Sequence, residues 1–389
     1  MPSRAFFVLF ILIIALGAHF FVAAWFMDAV PRLRMHRRKV LGVAVALCTI
    51  TAIGRLGAFL SHSDVMVELV AIGLTEWMIV ILGAIPLALT TLTVRLVHRF
   101  VMKPPVPESP DALTRRQALE RVGGALALGA SSACLGWGMV RGRHAFEVEE
   151  VPVRIAGLPR SLDGYTIAQV SDIHAGVFVG DREIEEGLSK VRAVHPDLVV
   201  ATGDLVDFDS RFTARLATEL ARLAPRDGVF AVLGNHDYYA GREGVARALR
   251  DAGVQLLLNE GRTIRADDGG GFALLGVDDL WASRYAGAGP DLAHAVSTVR
   301  PDAPRILLAH QPAYFDRVAS QVALQLSGHT HGGQINPGFR PTEFFMHYIA
   351  GKYERGGSTL WVNRGFGVAG PPARIGAPPE VTKIVLVAA

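Results

Sequence analysis

In Gly228-Val-Phe-Ala-Val-Leu-Gly-Asn-His-Asp237, a run of apolar, β-favouring residues ends directly on a glycine and three polar groups. The arrangement recurs on either side. Tyr165-Thr-Ile-Ala-Gln-Val170 leads to Ser171-Asp172-Ile-His174, and Asp197-Leu-Val-Val-Ala201 leads to Gly203-Asp204. Further on, Arg305-Ile-Leu-Leu-Ala309 runs into His310, and Val322-Ala-Leu-Gln-Leu326 into Gly328-His329-Thr-His331. Each polar group therefore lands where a strand gives way to a loop, the place where open α/β sheets put their active sites.

Helical spacing separates the early strands. Arg182 to Val194 carries Ile184, Leu188 and Val191 on one face, and Phe212 to Leu223 carries Leu216, Leu220 and Leu223. Gly241 to Ala252 is also helical. Val254 to Leu258, Phe272 to Val277, Thr359 to Val362 and Val381 to Val387 read as further strands. Strand alternating with helix predicts an α/β fold, and the strand-rich later part predicts a two-layered sheet core flanked by helices.

Ahead of this lies a different kind of sequence. The chain has 389 residues, half of them hydrophobic, with a mean hydropathy of +0.31. The apolar excess sits in four runs before about residue 141: Phe6 to Phe26, Val40 to Leu60, Leu69 to Val94 with Pro86 as a kink, and Val122 to Val140. Their lengths suit membrane-spanning helices. Arg32, Arg34, Arg37, Arg38 and Lys39 follow the first run. Arg95, Arg99, Lys103, Arg115, Arg116 and Arg121 follow the third. Ser61 to Glu68, after the second, has no Lys or Arg. Basic loops stay on the cytoplasmic side. The expected arrangement is a four-span region over 1–141 in the cytoplasmic (inner) membrane, with a Pro-rich cytoplasmic linker near 103–110. A domain over 150–389 follows on the extracytoplasmic side. Thr114-Arg-Arg-Gln-Ala-Leu119 resembles a twin-arginine export signal, which would make the export machinery a partner; it reads equally as two more anchoring arginines. Arg55 and Glu76 lie inside spans and are expected to pair, or else Arg55 reaches to the surface while Glu76 lines a polar seam. A net charge of +3, with aromatics not interleaved among basic residues, gives no reason to expect nucleic acid as a partner. The only cysteines, Cys48 and Cys134, fall in the apolar runs and leave the polar domain without a disulfide.

The polar residues at the strand ends form a metal-ligand set. Asp172 and His174, two apart on an extended strand end, point the same way and suit one metal. Asp204 has two oxygens and can bridge two. Asn235 supplies a neutral oxygen, and His310, His329 and His331 supply ring nitrogens. Asp, His and Asn without cysteine suit divalent metals bound for hydrolysis.

Taken in order, Asp172/His174, Asp204, Asn235/His236/Asp237, His310 and His329/His331 resemble the calcineurin-like metallophosphoesterase superfamily over roughly residues 163 to 389. Gly328-His-Thr-His-Gly-Gly-Gln334, Asn363-Arg-Gly-Phe-Gly367 and Pro378-Pro-Glu380 resemble a membrane-associated or exported bacterial branch of it. The resemblance implies a four-layer α/β (α+β) sandwich of two mixed sheets flanked by helices, here preceded by a helical transmembrane region. It also implies two divalent ions. One would be held by Asp172, His174, Asp204 and His331, the other by Asp204, Asn235, His310 and His329. Manganese, iron or zinc suits these ligands better than magnesium. Two such ions share a water and lower its pKa to give a hydroxide nucleophile. His236 would protonate the leaving group or stabilise the transition state, with Asp237 orienting it.

The implied activity is phosphoester hydrolysis, on a phosphodiester or a lipid-linked phosphate such as a phospholipid or lipid-linked nucleotide. The alternatives are a small-molecule or phosphoprotein monoesterase, and a metal-binding membrane scaffold or transporter-associated domain. Phe339 to Tyr353 would be a substrate rim suited to lipid or a helix packed on the core. Arg340, Lys352, Arg364 and Arg374 are candidate phosphate contacts, and Asp278-Asp279 would shape the pocket.

Overall fold

The computed structural model describes residues 4–57, 64–101, 114–267, 270–285 and 287–389. The chain divides into two compact units, Met1–Trp137 and Gly138–Ala389. In the first unit the apolar runs form helices α1 (Arg4–Ala29), α2 (Arg37–Gly57), α3 (Asp64–Val101) and α4 (Arg115–Val140). Pro86 lies within α3 without ending it. Among the described residues, three helices are long and apolar enough to cross a membrane, over Leu12–Ala29, Ile79–Phe100 and Arg115–His144. The Pro-rich segment 103–110 and residues 58–63 after α2 lie outside the described residues, while Asp64 to Glu68 of the connection without Lys or Arg open α3.

Glu76 on α3 finds its partners on the two neighbouring helices. His19 Nε2 of α1 lies 2.6 Å from its Oε1, and the Thr51 hydroxyl of α2 donates to its Oε2. His19 Nδ1 donates to the Ala15 carbonyl at 2.6 Å. The side chain of Arg55, the partner expected from sequence, lies outside the described residues. A carboxylate among apolar helices is costly unless every oxygen is matched, and here histidine and threonine match it.

The second unit runs β1 (Glu147–Ile155), β2 (Thr166–Val170), α5 (Asp181–Ala193), β3 (Leu198–Thr202), α6 (Thr213–Ala221), β4 (Val229–Val232), α7 (Asn235–Asp251), β5 (Gln255–Leu256), β6 (Glu260–Ile264), β7 (Phe272–Gly276), α8 (Leu292–Ser297), β8 (Arg305–Leu308), α9 (Phe315–Val318), β9 (Leu324–Ser327), β10 (Gly351–Arg355), β11 (Ser358–Val362) and β12 (Glu380–Ala388). Two six-stranded sheets result, in the orders β1-β12-β2-β3-β4-β5 and β10-β11-β9-β8-β7-β6. Both are mixed. Strands β2 to β5, strands β7, β8, β9 and β11, and the pair β1–β12 run parallel, while β12–β2, β6–β7 and β10–β11 pair antiparallel.

Side-chain alternation along the strands builds the layers. In β3, Leu198 and Val200 face the second sheet, while Val199 and Ala201 face α5 and α6. In β4, Phe230 and Val232 face inward, and Val229 and Ala231 face α7. Phe272, Leu274, Ile306, Leu308, Leu324 and Leu326 answer from the second sheet. Its outer face, with Ala273, Leu275 and Leu307, is covered by α8 and the segment around α9. The result is the expected sandwich of two sheets between helices.

Three strands escape the sequence reading. β1, β6 and β10 are short or charge-rich and lie at sheet edges or next to them, where one side needs no apolar cover. The helix expected from Gly241 starts earlier, at Asn235, and kinks at Gly241, whose φ is 109°. The Asp237 carboxylate accepts the Gly234 N–H at 2.8 Å and so caps that first turn. Residues 339–353 form neither a packed helix nor a bare loop: a single tight turn over Pro341–Phe344 leads into β10.

Phe272 is fully buried between the sheets, edge-on to Tyr165 at 5.4 Å. Phe272→Ala should therefore destabilise the second unit by about 3–5 kcal/mol. The measurement is the denaturant midpoint of its near-UV circular dichroism; an unchanged midpoint would show that the sheets do not depend on this layer.

Candidate metal centre

The ends of β2, β3, β4, β8 and β9 converge at one edge of the sandwich, and the chain leaves each sharply. Asp172, His174, Asp204, His329 and His331 all have left-handed backbone, with φ between 50° and 71°. That region is unfavourable for residues other than glycine and persists only where surroundings enforce it. Here neighbouring strand ends do so. The Asp172 N–H donates to Gly203 O at 2.9 Å, and the His174 N–H to Asp204 O at 3.0 Å. The N–H groups of Phe366 and Gly367 bond Ser171 O and Asp172 O, both at 2.8 Å.

Crowding accounts for the glycines of the motifs. A Cβ on Gly234 would stand 2.2 Å from Asp204 Oδ1, and one on Gly328 would stand 2.1 Å from Asp172 Oδ2. Only a residue without a side chain lets these loops approach so closely.

The carboxylates are fixed first by backbone. Both oxygens of Asp172 accept the His329 N–H at 2.9 Å, and Asp204 Oδ1 accepts the His236 N–H at 2.8 Å. Imidazoles then gather around them. His174 Nε2 and His331 Nε2 are 3.0 Å apart, with His331 Nε2 3.5 Å from Asp172 Oδ1. His310 Nε2 lies 3.2 Å from Asp204 Oδ2 and 3.2 Å from His329 Nδ1. Asp172, His174 and His331 thus make one group able to hold a cation, and Asp204, His310 and His329 a second. His174 Nε2 lies 3.7 Å from Asp204 Oδ2 and so links them. Asn235 sits beside them at the start of α7, and its buried Oδ1 has no hydrogen-bond partner among the described residues.

This donor set fits divalent cations. His310 Nδ1 donates to the Thr202 carbonyl at 2.8 Å, which holds the ring and turns Nε2 inward, as ligating histidines require. The charge balance points the same way. Burial opposes a charge on His310, yet the Asp204 and Asp172 carboxylates lift its pKa to about 10. Burial raises Asp172, whereas nearby His310 and His236 outweigh burial at Asp204 and hold it well below the usual range. Burial, reinforced by His310, drives His329 down to about 3, and burial with His174 and Arg374 keeps His331 neutral. Two rings are thus free to ligate, and a third carries a proton where a cation would stand.

His236 lies outside these two groups, but with His174 and Asp207 it forms a third set of close donor atoms. Its Nδ1 is 3.0 Å from both the carbonyl oxygen and Oδ1 of Asp207. Burial works against its charge, but Asp204 and Asp207 lift its pKa to about 9. The acid in contact with the His236 ring is thus Asp207, not Asp237. Asp237 instead accepts the N–H groups of Gly234, Leu205 and Val206, and burial beside Asp204 raises its pKa to about 7. Asp207 was missed because an acid three residues after Asp204 looks like any turn residue; its signal lies only in the fold.

The arginines singled out in the sequence are committed elsewhere. Arg374 is fully buried and donates to the carbonyls of Gly367, Arg364 and Ala377, with Nη2 3.3 Å from His331 Nδ1. It braces the loop behind His331 rather than facing a phosphate. Arg364 is tied to Glu147, Glu149 and Glu380. Arg340 and Lys352 are half-exposed and pair with Glu343 and Glu354. Asp279 does shape the centre. Its Oδ1 accepts the Trp281 N–H at 2.7 Å, and the Trp281 ring packs edge-on to His329 at 5.3 Å. Phe208 and Tyr239 pack against His236 at 5.3 and 5.0 Å, so aromatic rings border the histidines.

Comparison with known proteins agrees with this geometry. The family model for calcineurin-like phosphoesterase matches residues 165–333. A transmembrane protein with metallophosphoesterase domain from Danio rerio is 36% identical over 262 residues, covering 64% of this chain and 59% of that protein. The Bos taurus protein of the same name is 35% identical over 264 residues, covering 65% and 60%. The chain thus spans 59–60% of the length of these two relatives. A metallophosphoesterase of Bacillus subtilis (strain 168) is 32% identical over 284 residues, covering 70% of this chain and 98% of that protein. With a relative matched over nearly its whole length and a family model lying across the metal motifs, the chain belongs to the calcineurin-like phosphoesterase family.

Proposed function

We propose that the chain is a membrane-anchored phosphoesterase that hydrolyses a phosphodiester or lipid-linked phosphate. One divalent cation would be held by Asp172, His174, Asp204 and His331, and a second by Asp204, Asn235, His310 and His329. The observation that carries this reading is the meeting of two carboxylate–imidazole groups at Asp204, with His236 beside them and held by Asp207. When bound, such cations supply a water of lowered pKa as nucleophile and neutralise charge on the phosphoryl oxygens. Manganese, iron or zinc suits the donors.

The remaining steps belong to the chain. Thr202 O keeps His310 in the tautomer that ligates. Asp207 fixes His236 through Nδ1 and favours its protonated form, which leaves Nε2 to donate a proton to the leaving oxygen. A scaffold that only bound metal would have no use for such a pair.

Anchoring rests on the three helices of membrane-crossing length and apolarity. Orientation rests on the basic connections after the first and third runs, which favour a catalytic domain on the extracytoplasmic side of the cytoplasmic membrane.

Asp204→Asn should lower metal content and abolish hydrolysis of generic esters with manganese, since it weakens a ligand shared by both ions. Wild-type metal content by elemental analysis would remove Asp204 from the bridging role. His236→Ala should keep its metals yet turn over roughly 10²- to 10⁴-fold more slowly. That loss should shrink for esters with good leaving groups, and an equal loss on activated and unactivated esters would exclude proton donation. For topology, a reporter active only outside the cytoplasm should work when fused after Ala389, and the reverse pattern overturns the orientation. Lysine at Arg115 and Arg116 preserves charge, so loss of export in that variant would reveal a twin-arginine receptor.

A further inference from the structure

The exposed large apolar residues of the catalytic unit are scattered singly, with one exception. Phe339, Phe344, Phe345 and Met346 fall within one short segment and are 59%, 78%, 88% and 37% exposed. Clustered exposure of this kind marks an interaction surface, where single exposed residues mean nothing. The segment carries a short turn, Pro341–Phe344, and with Ile349 and Tyr353 its residues Glu343–His347 line an open, shallow concavity.

Its stem is rigid. Tyr348 and Ile349 are buried, and the Tyr348 hydroxyl bonds Asp316 at 2.8 Å. The Tyr353 hydroxyl accepts the Ile349 N–H at 3.0 Å. The stem is also joined to the metal loop. Thr330, between His329 and His331, donates its hydroxyl to Ile349 O at 2.5 Å. The turn packs on the His331–Gly333 turn, with the Thr342 hydroxyl against Gly333. Exposed aromatic residues therefore sit on a braced segment joined to the metal loop.

We propose that Phe339–Met346 is a tip that inserts into the lipid surface and seats the mouth of the metal centre on the bilayer, so that the substrate is a phosphoester carried by a membrane lipid. The substrate part rests on the phosphoesterase reading above; the insertion does not. A bilayer fits this tip better than a protein partner. Helices of membrane-crossing length belong to the same chain, so a lipid surface is always within reach. The adjacent rings of Phe344 and Phe345 carry no polar atom to satisfy in hydrocarbon. Arg340 and Lys352 stand half-exposed near the segment, each paired with an exposed acid, Glu343 and Glu354, and headgroup phosphates would compete for these long basic side chains.

The test uses the full chain in nanodiscs of phosphatidylethanolamine and phosphatidylglycerol. Phe345→Cys, in a background with Cys48→Ser and Cys134→Ser, carries a bimane label, and Ser189→Cys on exposed α5 surface serves as control. Lipids spin-labelled on the acyl chain should quench the label at 345 strongly and the one at 189 little. Equal quenching at both positions overturns insertion, as does quenching at 345 that appears only when a second copy or a soluble protein is present.

The second arm compares bis-p-nitrophenyl phosphate in solution with phosphatidic acid and phosphatidylglycerol in the nanodisc. Phe344→Ser with Phe345→Ser should leave the soluble reaction unchanged and slow the lipid reaction about tenfold, the effect of lost positioning. Equal change on both substrates, or a wild type that cleaves the soluble ester but neither lipid, overturns the substrate class. A wild type that cleaves nothing with manganese sinks the phosphoesterase reading, and the quenching result still decides insertion.

Discussion

The buried carboxylate of Asp204 is the constraint on which the catalytic unit turns. One of its oxygens takes the His236 N–H from the start of α7; the other faces His310 from the second sheet and, at 3.7 Å, His174 from the neighbouring strand end. A buried negative charge must be matched by nearby donors or cations. Around it lie four more buried or half-buried acids, Asp172, Asp207, Asp237 and Asp279. Burial and the charge of Asp204 together push Asp237 up to about 7. The edge of the sandwich is therefore short of positive charge, and His310 and His236 supply some of it by holding protons. That shortage is what a cation site looks like from the protein's side.

The same convergence explains features that otherwise look unrelated. Bringing strand ends from two sheets to one carboxylate leaves no room for side chains at Gly234 or Gly328. It forces five candidate ligands into left-handed backbone. Such a conformation needs support from behind, and Arg374 gives it. A guanidinium buried without a carboxylate partner is expensive, and burial draws its pKa down to about 9. Its donors are spent on carbonyls of the loop that backs His331 and Asp172. The hydrogen bonds between guanidinium and loop offset part of both costs, the buried cation and the strained backbone.

How far the sequence was legible follows from this physics. The strand-then-glycine-then-ligand pattern is visible because each part has a local cause: apolar pairing, crowding, and donor type. The two-sheet core is visible because alternation along β3 and β4 is imposed by layers on both sides. What stays hidden depends on partners distant in the chain. Asp207 acquires its role only when α7 brings His236 over it. The helix start at Asn235 depends on Asp237 capping Gly234, which looks like ligand chemistry in the sequence. β1 takes its register from β12, some 230 residues later, and its exposed glutamates mask the pattern. Arg374 reads as a surface charge until the fold buries it.

The contrast between two of the polar clusters among the described residues separates structure from function. In the helical unit, both oxygens of Glu76 are taken, one by His19 and one by Thr51, and the remaining nitrogen of His19 is spent on Ala15. That set is closed. It has no valence left for a ligand, and its work is to fix how α1, α2 and α3 meet. At the sheet edge, Asn235 Oδ1 has no partner, two imidazole nitrogens face each other at 3.0 Å, and His329 is held neutral against its neighbours. That set is open. Lone pairs aimed at one another repel unless a proton or a cation stands between them. A fold that enforces such an arrangement with strained backbone and a buried arginine has been shaped around something it does not itself contain.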